Sequence, residues 1–248
     1  MRYILPKSGL VRFSAGSSVH SGQLVDGKVL SDGIAYAQEE VTLLPPTKPS
    51  KLVCVGLNYD EHARELGMAR PAEPILFLKP PSAVIGTGMD IVMPQCSARV
   101  DYEGELGVVI SDRCKDLSAD RAADHILGFT CFNDVTARDL QQRDGQWTRA
   151  KSFDTFAPFG PAVVRMDLDQ AEDLDIETRV NGAVRQRSNT SDLIFGLGQL
   201  VQFISRIMTL EPGDIVATGT PPGVGPLQRG DRVEVEIEGL GTLQNRTI

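Results

Sequence analysis

The run Asp101-Tyr102-Glu103-Gly104-Glu105-Leu106, which passes straight into Gly107-Val108-Val109-Ile110, constrains this chain more than any other segment. Alternate residues of a strand share a face, which puts Asp101, Glu103 and Glu105 on one side. The apolar run that follows does not alternate, as expected of a strand covered on both faces. Carboxylates aimed into a covered interior repel one another unless positive charge lies between them. A hard divalent cation with oxygen ligands supplies that charge. Asp134 ends a second mostly apolar run, Gly128-Phe129-Thr130-Cys131-Phe132-Asn133, and brings a further carboxylate inside. The chain also carries its own control. Glu234-Val235-Glu236-Ile237-Glu238 alternates in the same way, and there the plain reading is a hairpin strand with a solvated acidic face. The flanks and the second acidic segment set the first strand apart, so a metal site, and with it a metal-assisted enzyme, is the expectation.

A formal net charge of -8 argues against nucleic acid or an anionic membrane as the main partner, and an aromatic content of 6% argues against a single-strand stacking platform. No segment approaches the ~20 uninterrupted apolar residues needed to span a bilayer. The stretch Met1 to Lys7 lacks the apolar core and cleavage site of a signal peptide, and the expected location is cytoplasmic. Cys54, Cys96, Cys114 and Cys131 form no CxxC pair, so they read as reduced thiols, mostly buried. With three histidines, none paired at ligand spacing, zinc is not expected, and nothing local supports a Cys-His nucleophile.

The chain divides near Leu43-Leu44-Pro45-Pro46-Thr47-Lys48-Pro49, which interrupts regular structure. Residues 1–47 read as a small N-terminal β domain and residues 48–248 as the main, catalytic domain. Leu52 to Gly56 is a buried strand, followed by a short helix from Asp60 to about Gly67. Val135 to Arg143 is expected to be another short helix, and Ser118 to Arg121 a helix start. The clearest helix runs from about Asp192 to Met208, with Leu193, Leu197, Leu200, Val201, Ile204 and Met208 on one face. Many short strands, few helices and no βαβ rhythm imply an α+β, β-rich roll.

Three further features carry candidate chemistry. His62 and Glu65 lie three apart on the short helix and hence on one face, where a carboxylate can support an imidazole acting as a general base. A surface helix with a solvated histidine fits the same pattern. Lys151, at the edge of an apolar segment, could stabilise an enolate, although such a lysine is more often surface. Thr218-Gly219-Thr220-Pro221-Pro222-Gly223-Val224-Gly225 reads equally as a structural turn or as an anion-holding loop. It lacks the ending of a phosphate-binding loop, and no Rossmann fingerprint occurs.

In order along the chain, NYxxHxxE, FLKPPSAVIG, DYEGELGVVI, FNDVTARDLQ, AKSFDTFAPFGP and ATGTPPGVG resemble the fumarylacetoacetate hydrolase family. The resemblance covers roughly Lys51 to the C-terminus and is closest to the short members. It implies a mixed β-roll fold, commonly homodimeric, that binds Mg²⁺ or Mn²⁺, sometimes Ca²⁺. It places the metal ligands on Glu103, Glu105 and Asp134, so Asp101 is not carried over. It also implies a catalytic dyad of His62 and Glu65, with Lys151 near the substrate oxygens. Substrate contacts fall on Arg138, Gln141 and Thr218. An extra aspartate ligand of longer relatives has no counterpart here.

The leading expectation is a metal-dependent hydrolase that cleaves the C–C bond of an acylpyruvate-like 2,4-dioxo acid, with His62 and Glu65 activating water and Lys151 helping to hold the pyruvate enolate. The alternative is a decarboxylase or isomerase of a 2-oxo dicarboxylate such as oxaloacetate or a homoprotocatechuate-pathway intermediate. A different class, a non-catalytic cation-binding β-protein, needs only Glu103, Glu105 and Asp134. Substrate size is expected to depend on the loops at 69–73 and 143–149.

Overall fold

A computed structural model describes residues 4–65, 67 and 69–248. Met1–Tyr3, Leu66 and Met68 lie outside the described residues, and with them the expected course of the first helix through Leu66 and the first three residues of the N-terminal stretch.

A 12-stranded sheet forms the frame. Its path runs Ile34–Ala37, Lys28–Ser31, Ser18–Val25, Ser8–Ala15, Ala157–Val164, Ile126–Asn133, Gly104–Ile110, Ile215–Ala217, Leu52–Gly56 and Ile75–Lys79. The central strands explain why their sequences do not alternate. Val53, Val55, Leu106, Val108 and Ile110 enter one apolar cluster, while Leu52, Cys54 and Val109 enter another on the opposite face. Burial on both sides removes any reason for a polar residue at every second position.

The first of those clusters fills the space between the large sheet and two covering elements. One is a five-stranded sheet contributing Ile176, Val235, Ile237 and Leu243; the other is the helix Leu197–Ile207, contributing Leu197, Leu200, Val201 and Ile204. That spacing is the apolar stripe of an amphipathic helix, each side chain contributing about 1.5–3 kcal/mol on burial. The helix begins later than Asp192. Asn189 caps a separate 3₁₀ turn, Thr190–Asp192, and Leu193 and Ile194 bond to Tyr59 and Asn58 instead of continuing it. The first turn is then capped from outside, with Leu197 N–H donating to Glu172 Oε1 at 2.7 Å.

The N-terminal strands have a cluster of their own, including Val11, Phe13, Leu24, Val29 and Leu43, and join the large sheet where Leu10 pairs with Val163. Of the expected short helices, Asp60–Glu65 is present and Gly67, at φ +65°, donates back to the Arg64 carbonyl. Arg138–Asp144 is also helical, but the two preceding residues, Thr136–Ala137, are a strand. Ala119–His125 is a 3₁₀ helix.

Candidate active site

The acidic segment is not one continuous strand. Val100–Tyr102 belongs to a three-stranded sheet, Gly104–Ile110 to the large one, and Glu103 sits at the step between them. The expectation that Asp101 joins Glu103 and Glu105 in one row is therefore not met. Asp101 is fully buried, accepting from Arg99 at 2.8 and 3.0 Å and from Arg138 Nε at 2.9 Å. Glu103 and Glu105 are instead joined by Asp134, because Gly104 pairs with Asn133 and the next step across the ladder brings Asp134 N–H to the Glu103 carbonyl at 2.8 Å. Ligand oxygens from Glu103, Glu105 and Asp134 lie within 4.8 Å of one another, all three residues buried.

Cations surround this group on one side. Lys151 Nζ donates to Glu103 Oε2 at 2.9 Å and Asp134 Oδ2 at 2.5 Å. Lys79 Nζ is paired with Asp134 Oδ1 and donates to the Val135 carbonyl at 3.0 Å. Arg138 pairs with Glu103 and donates to Gln141 Oε1 at 2.6 Å. Burial alone would raise the Glu103 carboxyl, but Lys151 and Arg138 outweigh it and hold Glu103 well below the usual carboxylate range. Burial would likewise lower Lys151, and Asp134 and Glu103 reverse that, so it stays cationic. Glu105 behaves differently. Burial, then Asp134 and Glu103, push it well above its ordinary value. Among the described residues its one hydrogen-bond donor is Gly219 N–H, at 2.9 Å. Three clustered oxygen donors, one of them short of positive partners, fit a hard divalent cation.

His62 reaches the same cavity by a constrained turn. The strand Leu52–Gly56 ends, and Leu57 adopts φ +54°, a left-handed backbone unusual for a branched residue. Asn58 pins the turn, its Nδ2 donating to the Thr218 and Phe195 carbonyls at 2.7 and 3.2 Å and its Oδ1 accepting from Phe195 N–H at 2.8 Å. The helix that follows carries His62, 5% exposed, with Nδ1 3.0 Å from Glu65 Oε2. Glu65 is in turn met by Gly223 N–H at 3.2 and 3.3 Å.

The Thr218–Gly225 loop thus spends backbone N–H groups on carboxylates, but on the protein's own Glu105 and Glu65. Gly219, at φ +100°, is required there, since a Cβ would lie 2.7 Å from that of Asn58. The Thr218 hydroxyl points back to the Leu106 carbonyl at 3.0 Å. Thr218 does not line the cavity; Thr220 does.

The cavity itself measures about 270 Å³. His62, Glu103, Glu105, Asp134, Arg138, Gln141 and Lys151 line it, with Glu65 behind His62. Sequence reasoning missed Lys79, Asn58 and the apolar wall of Leu57, Phe77 and Trp147. Lys79 had a usable signal, a lysine closing the apolar Ile75-Leu76-Phe77-Leu78 run before two prolines. Cys54 lies fully buried close to the cluster. Its thiol is pushed well up by burial and by Asp134, which leaves it no part as a nucleophile.

Comparison with known proteins gives the family of the chain. The family model for the fumarylacetoacetate (FAA) hydrolase C-terminal domain matches residues 51–248. A protein of Archaeoglobus fulgidus is 57% identical over 241 residues, 96% of either chain. A mitochondrial oxaloacetate tautomerase of Bos taurus is 47% identical over 222 residues, 85% of this chain and 71% of its own. The crystal structure of a 5-carboxymethyl-2-hydroxymuconate delta-isomerase from Mycobacterium smegmatis superimposes with a TM-score of 0.89 at 44% identity, covering 97% of this chain and 98% of the other. The matched span holds the acidic cluster, the His62–Glu65 pair and Lys151 together, and the chain belongs to the fumarylacetoacetate hydrolase family of enzymes.

Proposed function

We propose that this enzyme moves a proton on the carbon beside the keto group of a small 2-oxo acid, as a divalent-cation-dependent tautomerase or isomerase. The observation that carries the reading is His62, backed by Glu65, on the wall of the cavity that holds the carboxylate cluster and Lys151. A Mg²⁺ or Mn²⁺ ion, with Ca²⁺ also accepted by such donors, would be held by Glu103, Glu105 and Asp134 and would act as a Lewis acid on the substrate oxygens.

The chain's own groups divide the remaining work. Glu65 engages Nδ1 of His62, which fixes the ring and leaves its second nitrogen to take and return the proton. Lys151 remains charged and stabilises negative charge that develops on the keto oxygen. Arg138 donates to Gln141 Oε1 at 2.6 Å, which orients the Gln141 amide and leaves its N–H groups to donate to the substrate carboxylate. The names of the two functionally described relatives given above, a tautomerase 47% identical and an isomerase 44% identical, support proton transfer. A second reading keeps the same residues: His62 activates a water that cleaves a 2,4-dioxo acid. It is favoured by a cavity that extends past the carboxylates to Phe77 and Trp147, where a longer acyl chain fits. A second copy of the chain belongs to the same proposal, supported by the open edge strand Ile75–Lys79 with Leu78 exposed, and sedimentation would test it.

The deciding experiment supplies oxaloacetate and acetylpyruvate with Mg²⁺ or Mn²⁺ and follows keto–enol interconversion together with CO₂, acetate and pyruvate. Accelerated interconversion with the carbon skeleton intact, abolished by EDTA and by His62→Ala, is the expected result. Acetate plus pyruvate would select the hydrolase and CO₂ plus pyruvate the decarboxylase. No acceleration of any kind would overturn the enzymatic reading.

A further inference from the structure

The cavity has two unlike halves. One holds the three carboxylates with Lys151 and Arg138; the other is walled by Val55, Leu57, Phe77 and Trp147. Trp147 sits between the helices Arg138–Asp144 and Thr148–Lys151, and its carbonyl accepts from Lys151 N–H at 3.0 Å. Its ring meets Phe77 edge-on, 5.2 Å between centroids at 72°. It also lies so close to the strand end that a Cβ at Gly56 would sit 3.0 and 3.1 Å from its ring atoms. A side chain at position 56 would press on the edge of the indole and displace it by a few tenths of an ångström.

Among the described residues the two cations that line the cavity, Arg138 and Lys151, are both engaged by carboxylates. Arg138 directs its donors to Asp101, Glu103 and Gln141. Lys151 is spent on Glu103 and Asp134, and its Nζ stands 4.8 Å from the centre of the Phe77 ring. A carboxylate at the far end of a substrate would lose water against Phe77 and Trp147 and meet only the neutral amides of Gln141 and Gln142, whereas an apolar group there gains by burial.

We infer that the cavity selects 2-oxo acids whose far end is apolar, an alkyl, aryl or acyl group laid on Trp147, over acids ending in a second carboxylate. This rests on the proposed reading of the carboxylate cluster as the seat of the 2-oxo acid head. Trp147 is then a specificity-determining residue, with Gly56 packed against its edge. The inference concerns which tail binds, and leaves open whether a proton moves or a bond breaks.

The chain contains one tryptophan, so intrinsic fluorescence reports occupancy of this wall directly. The test titrates the Mg²⁺-supplemented protein with 2-oxo acids of equal chain length ending in methyl or carboxylate. The same titration of His62→Ala reads binding whether or not the proposed reaction occurs. The methyl-ended acid is expected to bind about tenfold more tightly. Phe77→Leu, which keeps the reporter, should narrow that preference. Trp147→Ala should raise KM for the methyl-ended acid about tenfold while changing KM for the dicarboxylate far less. Equal affinities for the two tails in the unsubstituted protein, or a preference unchanged in both variants, would overturn the inference. Loss of turnover dependence on His62 alone, with the binding preference intact, would instead overturn the proposed reaction.

Discussion

Two segments of this protein share one sequence pattern and have opposite fates. Around residues 101–105 and again around 234–238, acids alternate with other residues at a spacing of two. In the second strand, Arg232–Ile237, the pattern does what alternation predicts. Val233, Val235 and Ile237 face the core, and Glu234 and Glu236 face outward. There Glu236 lies directly across from Glu177, a like-charge pair that Arg179 relieves by bonding to both. In the first segment the chain steps between two sheets at Glu103, and each acid finds a different tertiary environment. Asp101 meets two arginines, Glu103 meets Lys151 and Arg138, and Glu105 meets two other carboxylates. Spacing alone therefore does not say whether a row of acids is a surface or a site. The decision lies in what packs over it, and here Asp134 and Lys151 arrive from distant segments.

The comparison can be broken hardest at Glu105. Glu105→Gln should lower turnover about 10³-fold with the fold retained, measured by initial rates at saturating Mg²⁺. Asp101→Asn should act in a different way. It leaves Arg99 and Arg138 short of charge, so thermal or denaturant unfolding should show a loss of about 2–3 kcal/mol. KM should rise about tenfold as Arg138 loses the partner that orients it, with kcat changed less.

Asp214 sharpens the contrast, because it is a buried carboxylate with many donors and a lysine as its ion partner. It accepts from Ser50 N–H and Oγ–H at 2.8 Å, Lys51 N–H at 3.1 Å and Glu211 N–H at 2.9 Å, and pairs with Lys51 Nζ. Burial would raise it, but Lys51 and these donors hold it below its ordinary value, opposite to Glu105. A depressed carboxyl contributes stability that is complete above its unfolded value, near ~3.9, and is lost as pH falls through the folded one. The stability difference between the unsubstituted protein and Asp214→Asn should stay constant above about pH 5 and shrink below about pH 4, as read from denaturant curves across pH. A difference that grew toward acid would contradict this. The smallest effect belongs to the surface strand, where Glu236→Gln should cost under about 1 kcal/mol and less in high salt.

Much of the site was legible because its chemistry is local in sequence. The dyad spacing of His62 and Glu65 needs only one helical turn, and Glu103 and Glu105 announce themselves beside an apolar run. The core followed from the same source, since unalternating strands and the 197–207 stripe dictate burial. What stayed hidden depends on contacts across the fold. Asn58 matters because it ties a left-handed turn to Thr218 and Phe195, and Thr218 turns away because the Leu106 carbonyl needs its hydroxyl. Asp101 looked like a ligand because a step between two sheets at Glu103 leaves no mark on the alternation.

The most direct test of the account is a calorimetric titration of Mn²⁺ into the metal-free protein, into Glu105→Gln and into Glu236→Gln. The account predicts one site per chain in the unsubstituted protein, the same affinity in Glu236→Gln, and loss of that site in Glu105→Gln. Equal binding by all three proteins would contradict it.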